Sequence, residues 1–199
     1  QVRYSDLLPR YSPIDSSVFF ADTSYYNEEW TDTMIVTVQG VVTMPTGITY
    51  AGDGIKFILQ DVNGGPWSSI LSYNPDSTAY PVLFEGDLIE MSGRILEFDT
   101  RDGSSVSNMT ELWITTEIDI LNFGLPLPEE PVISTGDLRW PTTAEQWGNV
   151  MVKVQNATII ENLPPDDFDM LRIDDGSGSV LVDDDSRYFR DWTQEYPGD

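Results

Sequence analysis

Between residues 32 and 124, apolar and polar positions alternate in short runs separated by Gly, Pro, Asn and Asp. Period-two alternation places successive side chains on opposite faces of an extended chain, so these runs predict β-strands. Turn signals such as Asn63-Gly64-Gly65 mark the reversals between them. The predicted strands are residues 34–44, 54–61, 67–73, 87–98 and 111–121.

The same order of elements occurs twice along the chain. A strand around Gln39, a strand that ends in an acidic Gly-rich turn, and a third strand recur about 116 positions later around Gln155. Solenoid repeats are only about 20–50 residues long, so this spacing indicates two copies of one small β domain. In the second copy, strands are predicted near 150–160, 169–175 and 179–183, without counterparts of strands four and five before Asp199. The sequence thus predicts an all-β chain whose second domain is incomplete.

Two segments lie outside this pattern. Residues 1–31 are rich in aromatic residues and have neither helical nor strand periodicity, which predicts an irregular N-terminal arm that packs on its own domain or docks on a neighbouring subunit. Residues 125–147 form a Pro-rich linker with a possible short helix at 134–139 or 144–147, which leaves domains at 32–124 and 148–199. The arm residues predicted to make interactions are Phe19, Phe20, Tyr25, Tyr26 and Trp30.

Three motifs carry a family resemblance. Gly40 interrupts the first strand, Phe57-Ile-Leu-Gln-Asp61 precedes a Gly-Gly turn, and Gly86-Asp87 introduces a strand that contains Ser92-Gly93. The second copy contains Ile173-Asp-Asp-Gly-Ser-Gly-Ser-Val-Leu-Val-Asp-Asp184. These motifs resemble the OB-fold modules of secreted bacterial multidomain proteins, including those that accompany extracellular nucleases. The resemblance implies two tandem OB-like small β-barrels, and it transfers no catalytic or binding residue to this chain.

The charge of the chain is strongly negative, with 34 acidic and 10 basic residues and a formal net charge of −24. Nucleic-acid backbones are polyanions that bind through Lys and Arg, so nucleic acid is not an expected partner, and neither is an anionic membrane. No apolar run of about 18 residues exists, so membrane insertion is not expected either. The start at Gln1 favours a mature secreted chain, extracellular or at the cell surface, over a trimmed fragment.

The chain contains no His and no Cys. This composition excludes thiolate nucleophiles, Ser-His-Asp triads and zinc fingers, and it removes the usual proton shuttle near neutral pH. Carboxylate pairs could in principle hydrolyse glycosides, but acidic pairs are too common in this sequence to be informative. We therefore predict no catalytic residues and no enzymatic activity.

The one candidate cofactor is calcium. Carboxylates and loop carbonyls are the ligands that Ca²⁺ prefers, and an acidic cluster spans one predicted hairpin of the second domain. The spacing does not match an EF-hand loop, so a solvated turn without metal is the alternative. The candidate ligands are Asp174, Asp175, Asp183 and Asp184.

Aromatic side chains on barrel strands can stack on bases or sugars, or can pack against the arm or the other domain. Trp67, Tyr73, Trp113 and Trp140 are the candidates, and alternation places Trp113 on the opposite strand face from Leu112 and Ile114.

Three functional hypotheses follow from these observations. The favoured one is a non-enzymatic extracellular structural or interaction protein, a subunit of a surface assembly or filament joined by strand or arm exchange. The second is a set of accessory OB-fold domains from a larger secreted nuclease or hydrolase. The third is a module that binds calcium or carbohydrate.

Overall fold

Five strands of the first domain close into a β-barrel. The structure is a computed structural model, and it describes residues 35–99, 108–163, 170–183 and 186–187. The strands follow the order β1-β2-β3-β5-β4, and β4 pairs back to β1 and so closes the barrel. Neighbouring strands are antiparallel except β3 and β5, which are parallel. This closed five-stranded Greek-key barrel is the OB-like fold that the motifs predict. The strands are β1 (Ile35–Met44), β2 (Ile55–Gln60), β3 (Ser69–Asn74), β4 (Leu88–Asp99) and β5 (Asn108–Ile114).

The interior of the barrel is filled by alternate apolar side chains from every strand. Phe57, Ile89 and Leu112 are fully buried, and Leu83 from the β3–β4 connection is buried with them. Trp113 is only half-buried, so the predicted orientation opposite to Leu112 and Ile114 is confirmed.

Close strand crossings in the barrel explain two of the motif glycines. A Cβ on Gly40 would lie 2.7 Å from the carbonyl oxygen of Gln60 on β2. A Cβ on Gly93 would overlap the carbonyl oxygen of Trp113 and the side chain of Leu112 on β5. Only a residue without a side chain allows the strands to approach so closely.

The fifth predicted strand, residues 111–121, is in fact two strands. β5 ends at Ile114, and β6 (Asp119–Asn122) pairs separately with the first part of β4. Between them the hydroxyl of Thr116 accepts a hydrogen bond from Ser92 N at 2.9 Å, and Thr115 N donates to Ser92 O at 3.0 Å. A side chain thus replaces part of the ladder, which strand alternation alone does not reveal.

The second domain is a three-stranded antiparallel sheet in the order β7-β8-β9, which we call the second sheet. Its strands are β7 (Thr158–Asn162), β8 (Leu171–Asp174) and β9 (Val180–Val182). The repeat of strands predicted for the second domain is therefore present as three strands among the described residues. β7 begins later than the predicted strand 150–160. In the barrel, the first half of the equivalent strand β1 is paired with β4, whereas no described strand pairs with the residues before β7.

The predicted linker is attached to both domains. Leu125 N donates to Gly86 O of the barrel at 2.8 Å, and Lys153 N donates to Pro131 O at 2.9 Å. The linker region then forms helix α1 (Thr135–Arg139), helix α2 (Pro141–Ala144) and a 3₁₀ turn (Glu145–Trp147). Both short helical positions predicted from the sequence are therefore helical.

The 3₁₀ turn and the residues that follow it lie against the barrel. Trp67 N donates to Gln146 O at 2.6 Å, the hydroxyl of Ser69 donates to Asn149 O at 2.6 Å, and Met151 N donates to the side-chain oxygen of Gln60 at 3.4 Å. These contacts explain why two polar side chains, Gln60 and Ser69, are almost fully buried.

Candidate functional site

Among the described residues, strand β7 forms one edge of the second sheet, and it is unusually apolar for an exposed edge. All five of its residues are exposed, and the exposed fractions of Ile159 and Ile160 are 44% and 54%. The pairing register with β8 shifts between Ile159 and Glu161, as it does at a β-bulge. Bulges on edge strands re-aim side chains and limit pairing, but here two β-branched apolar residues still face solvent.

The central strand β8 pairs with β7 and fixes its register. Leu171 is 2% exposed, so the sheet does have a packed face. Arg172 Nε lies 2.7 Å from Glu161 Oε2 on β7. An exposed ion pair of this kind adds at most about 1 kcal/mol, so it fixes alignment more than it stabilises the sheet.

The turn between β8 and β9 is attached to helix α1 through four residues that we call the α1–β8 junction: Thr135, Gly136, Asp175 and Ser177. Thr135 is fully buried, and its backbone N–H and hydroxyl donate to the Asp175 carboxylate at 3.1 and 2.8 Å. Ser177 donates its own N–H and hydroxyl to the same carboxylate. The carboxylate thus accepts four hydrogen bonds, which is about its full capacity.

These hydrogen bonds control the ionisation of Asp175. The Ser177 hydroxyl contributes most, followed by the Thr135 hydroxyl and then the two backbone N–H groups, and together they hold the pKa of Asp175 well below its ordinary range. Donors that bind the charged form favour it over the protonated form. Asp175 is therefore a charged structural acceptor in the α1–β8 junction.

Helix α1 fits closely against this turn. Gly136 N donates to the Ser177 hydroxyl at 2.8 Å, and a Cβ on Gly136 would come within 2.7 Å of the Ser177 carbonyl oxygen. The helix begins after Ser134, whose hydroxyl accepts from Asp137 N at 3.1 Å as an N-cap. Sequence reasoning missed Thr135 and Ser177, since hydroxyls in a loop and a linker gave no signal that they meet.

Of the four predicted calcium ligands, Asp174 and Asp175 accept hydrogen bonds within the β8–β9 turn and its junction with α1. Asp174 accepts hydrogen bonds from Gly176 N at 2.7 Å and Gly178 N at 3.2 Å, and Asp183 is exposed directly after β9. Asp184 lies outside the described residues. In the part of the chain that the structure describes, no three acidic side chains converge as a metal site. Calcium stays a prediction, and the melting temperature in Ca²⁺ and in EDTA tests it.

The predicted interaction residues Phe19, Phe20, Tyr25, Tyr26 and Trp30 lie outside the described residues. Asn156 lies in a bend before β7 with a φ of 57°. No helix within the described ranges is long and apolar enough to cross a membrane.

The aromatic candidates separate into two groups. Trp67 and Trp140 are exposed, and the Arg139 guanidinium lies 5.0 Å from the Trp140 ring centroid. Tyr73 and Trp113 are neighbours in register on β3 and β5, with ring centroids 5.8 Å apart at 79°.

Two of the few basic residues continue the row of Tyr73 and Trp113 across the barrel. Lys56 on β2 is paired with Tyr73, and Arg94 on β4 is paired with Trp113. The sequence singled out the two aromatic residues but not the two cations, because only strand register places all four in one row.

Comparisons with known proteins yield similarity to solved structures alone. The sequence matches no protein-family model and no curated protein. An OBody, NL8, bound to hen egg-white lysozyme is 18% identical, with 46% of this chain and 97% of that chain covered and a TM-score of 0.32. A small single-stranded DNA-binding protein from Streptomyces coelicolor is 20% identical, with 47% and 93% covered and a TM-score of 0.27. The OB-like fold of this chain follows from its own strand order and pairing.

Proposed function

We propose that this chain is a non-enzymatic extracellular interaction protein that assembles by strand addition, and that the second sheet is the acceptor. The observation that carries the proposal is β7, an edge strand whose residues are all exposed and which includes Ile159 and Ile160. Natural proteins normally blunt or cover such an edge, because the backbone groups and apolar side chains along it invite pairing. A partner strand would remove both from water.

The donor that we propose is residues 1–31 of another copy. This segment contains the β-branched and aromatic run Val18-Phe19-Phe20, which is suited to an extended strand. An extended segment that adds to a sheet edge gains affinity from backbone hydrogen bonds and specificity from alternate side chains. The arm of one copy would thus complete the second domain of the next.

This exchange is head-to-tail, since the donor and the acceptor lie in different parts of the chain. Such heterologous contacts form rings when the rotation closes and open filaments when it does not. The net charge of −24 would keep unassembled subunits soluble, and the lack of His and Cys accords with a structural rather than a catalytic role.

The experiment measures the mass of the full chain over a range of concentrations by light scattering after gel filtration. We expect oligomers that grow with concentration, and monomers after either deletion of residues 1–31 or the substitution Ile160→Lys. Leu121→Lys is the matched control, because Leu121 is 48% exposed on β6 of the barrel. A peptide of residues 12–31 added in excess should also dissociate the oligomers.

Two results would contradict the proposal. A full chain that stays monomeric at every concentration contradicts assembly through the arm. Oligomers that survive Ile160→Lys but dissolve with Leu121→Lys would place the contact on the barrel instead.

A further inference from the structure

A cleft of about 620 Å³ lies in the wall of the barrel, away from the second sheet. It separates the first half of β1 from the turn between β2 and β3. From Ile35 to Gly40 β1 pairs with β4 on one side, whereas its pairing with β2 begins only at Val41. The edge of β1 that faces the cleft is therefore an open strand edge among the described residues.

The floor of the cleft is apolar. Val36 and Val38 are two residues apart on β1, so they point the same way, and both pack against the barrel core. Leu59 and Ile70, both core residues, line the opposite side. An extended chain laid along β1 would direct alternate side chains onto this floor.

Trp67 lies at the mouth of the cleft in a strained conformation. Its φ is 62°, which is an outlier for a bulky side chain, and its side chain is 43% exposed. The hydrogen bond from its N–H to Gln146 O holds the backbone in place. Strain of this kind persists where the surrounding structure enforces it, and such positions cluster at ligand-contacting sites. Exposed Trp residues are also frequent anchors of protein–peptide contacts.

The charge of the cleft selects the partner. Among the described residues that line the cleft, Asp61 is the one charged residue, and the whole chain has a net charge of −24. Phosphate-bearing ligands would meet repulsion here, whereas Lys or Arg side chains would meet attraction.

We propose that this cleft is a peptide-binding site, in which an extended segment of another protein adds to the edge of β1. Its apolar side chains alternate with basic ones: the apolar side chains rest on Val36 and Val38, and a basic one faces Asp61. Trp67 covers the bound segment. This site is separate from the proposed acceptor edge at β7, and it accepts a different class of partner.

A displayed library of random peptides, each about twelve residues long, tests the proposal against the full chain. We expect enrichment of sequences in which Lys or Arg alternates with Val, Ile or aromatic residues. Binding of a selected synthetic peptide should perturb the amide resonances of residues 35–39 and of the β2–β3 turn. No enrichment, enrichment of acidic sequences, or perturbations confined to the second sheet would overturn the proposal.

Two variants separate binding from folding. Trp67→Gly removes the indole at a position whose positive φ suits glycine, so the protein should stay folded while peptide affinity falls at least about tenfold. Asp61→Asn retains the side-chain oxygen that accepts from Asn63 N at 2.8 Å and removes the charge. It should weaken binding and flatten its dependence on salt. Trp140→Ala, which removes another exposed Trp outside the cleft, should change nothing. Unchanged affinity in both Trp67→Gly and Asp61→Asn would also overturn the proposal.

Discussion

Single carboxylates in this acidic chain have opposite effects on stability, depending on what surrounds them. Asp175 lies among four donors in the α1–β8 junction, and its pKa is lowered. Glu111 on β5 is 5% exposed, and burial raises its pKa, although the charge of Lys56 partly opposes the shift. The burial and the hydrogen bonds of a carboxylate, rather than its residue type, thus decide whether its charge stabilises the fold.

Asp175 should make the folded state sensitive to acid. Because its pKa is lowered in the folded state, its contribution to stability is complete above about pH 4 and is lost as the pH falls further. We expect the Asp175→Asn variant to be less stable than the wild type at neutral pH and to lose less stability between about pH 4 and pH 2. Urea unfolding across this range measures the difference, with Asp183→Asn as a matched removal of charge next to the same sheet. Parallel pH profiles for Asp175→Asn and the wild type would contradict the expectation.

Glu111 should behave in the opposite way. Its raised pKa means that the folded state favours the protonated form, so its contribution is most favourable below its ordinary pKa and is lost as the pH rises. We therefore expect Glu111→Gln to raise the free energy of unfolding at pH 7 and to leave it nearly unchanged at about pH 3. The same urea experiment measures this. A loss of stability at pH 7 would mean that the charge of Glu111 has a stabilising partner.

At the scale of elements, β4 organises the barrel because it pairs with β1, β5 and β6. Gly93 lies where this strand passes closest to β5. The barrel can close only if that crossing stays free of side-chain atoms.

Gly93→Ala should therefore be strongly destabilising. The added methyl group would overlap the Trp113 carbonyl and the Leu112 side chain, and overpacking of this kind costs about 1–3 kcal/mol or more. Chemical denaturation gives the free energy of unfolding, and Ser92→Ala at the neighbouring position serves as the control. A cost for Gly93→Ala no larger than for the control would mean that β4 and β5 can separate at little expense.

Period-two alternation predicts most of these elements. The bounds of predicted strands 34–44, 54–61 and 87–98 differ from those of β1, β2 and β4 by at most one residue at each end. The alternation pattern does not predict the break between β5 and β6, where Thr115 and Thr116 form hydrogen bonds with Ser92 in place of a continuous strand ladder. The pattern also does not show that Lys56 and Arg94 flank Tyr73 and Trp113, because that depends on the register between strands. Nor does it show that Thr135 contacts Asp175, which lies in a distant segment. The sequence repeat, in contrast, correctly predicted a second β-sheet.

At the scale of the whole molecule, charge decides which large partners can approach. The net charge of −24 is spread along the chain, and the row that includes Lys56 and Arg94 is a small cationic exception on the barrel. Long-range repulsion acts before any local contact can form.

We expect negligible affinity for nucleic acid at about 0.15 M salt, because binding requires cations that release counterions from the phosphates. Fluorescence anisotropy with labelled duplex DNA and with labelled single strands measures this. The expectation would be wrong if single strands bound at micromolar concentration and lost affinity when Trp113 was replaced by Ala. Contacts with the row of Tyr73 and Trp113 would then outweigh the long-range repulsion.

The pairing of β1 with β4 has a consequence for the speed of folding. Ile35 pairs with Arg94, so the barrel closes only after a long stretch of chain has been brought together, whereas Leu171 pairs with the nearby Val182. Contacts between distant residues form slowly, and hairpins form quickly. We expect the second sheet to gain protection from hydrogen exchange before the barrel does when the denatured chain is refolded. The apolar edge of β7 would then be present while the barrel is still open, and a crowded refolding mixture would be most prone to wrong pairings in that interval.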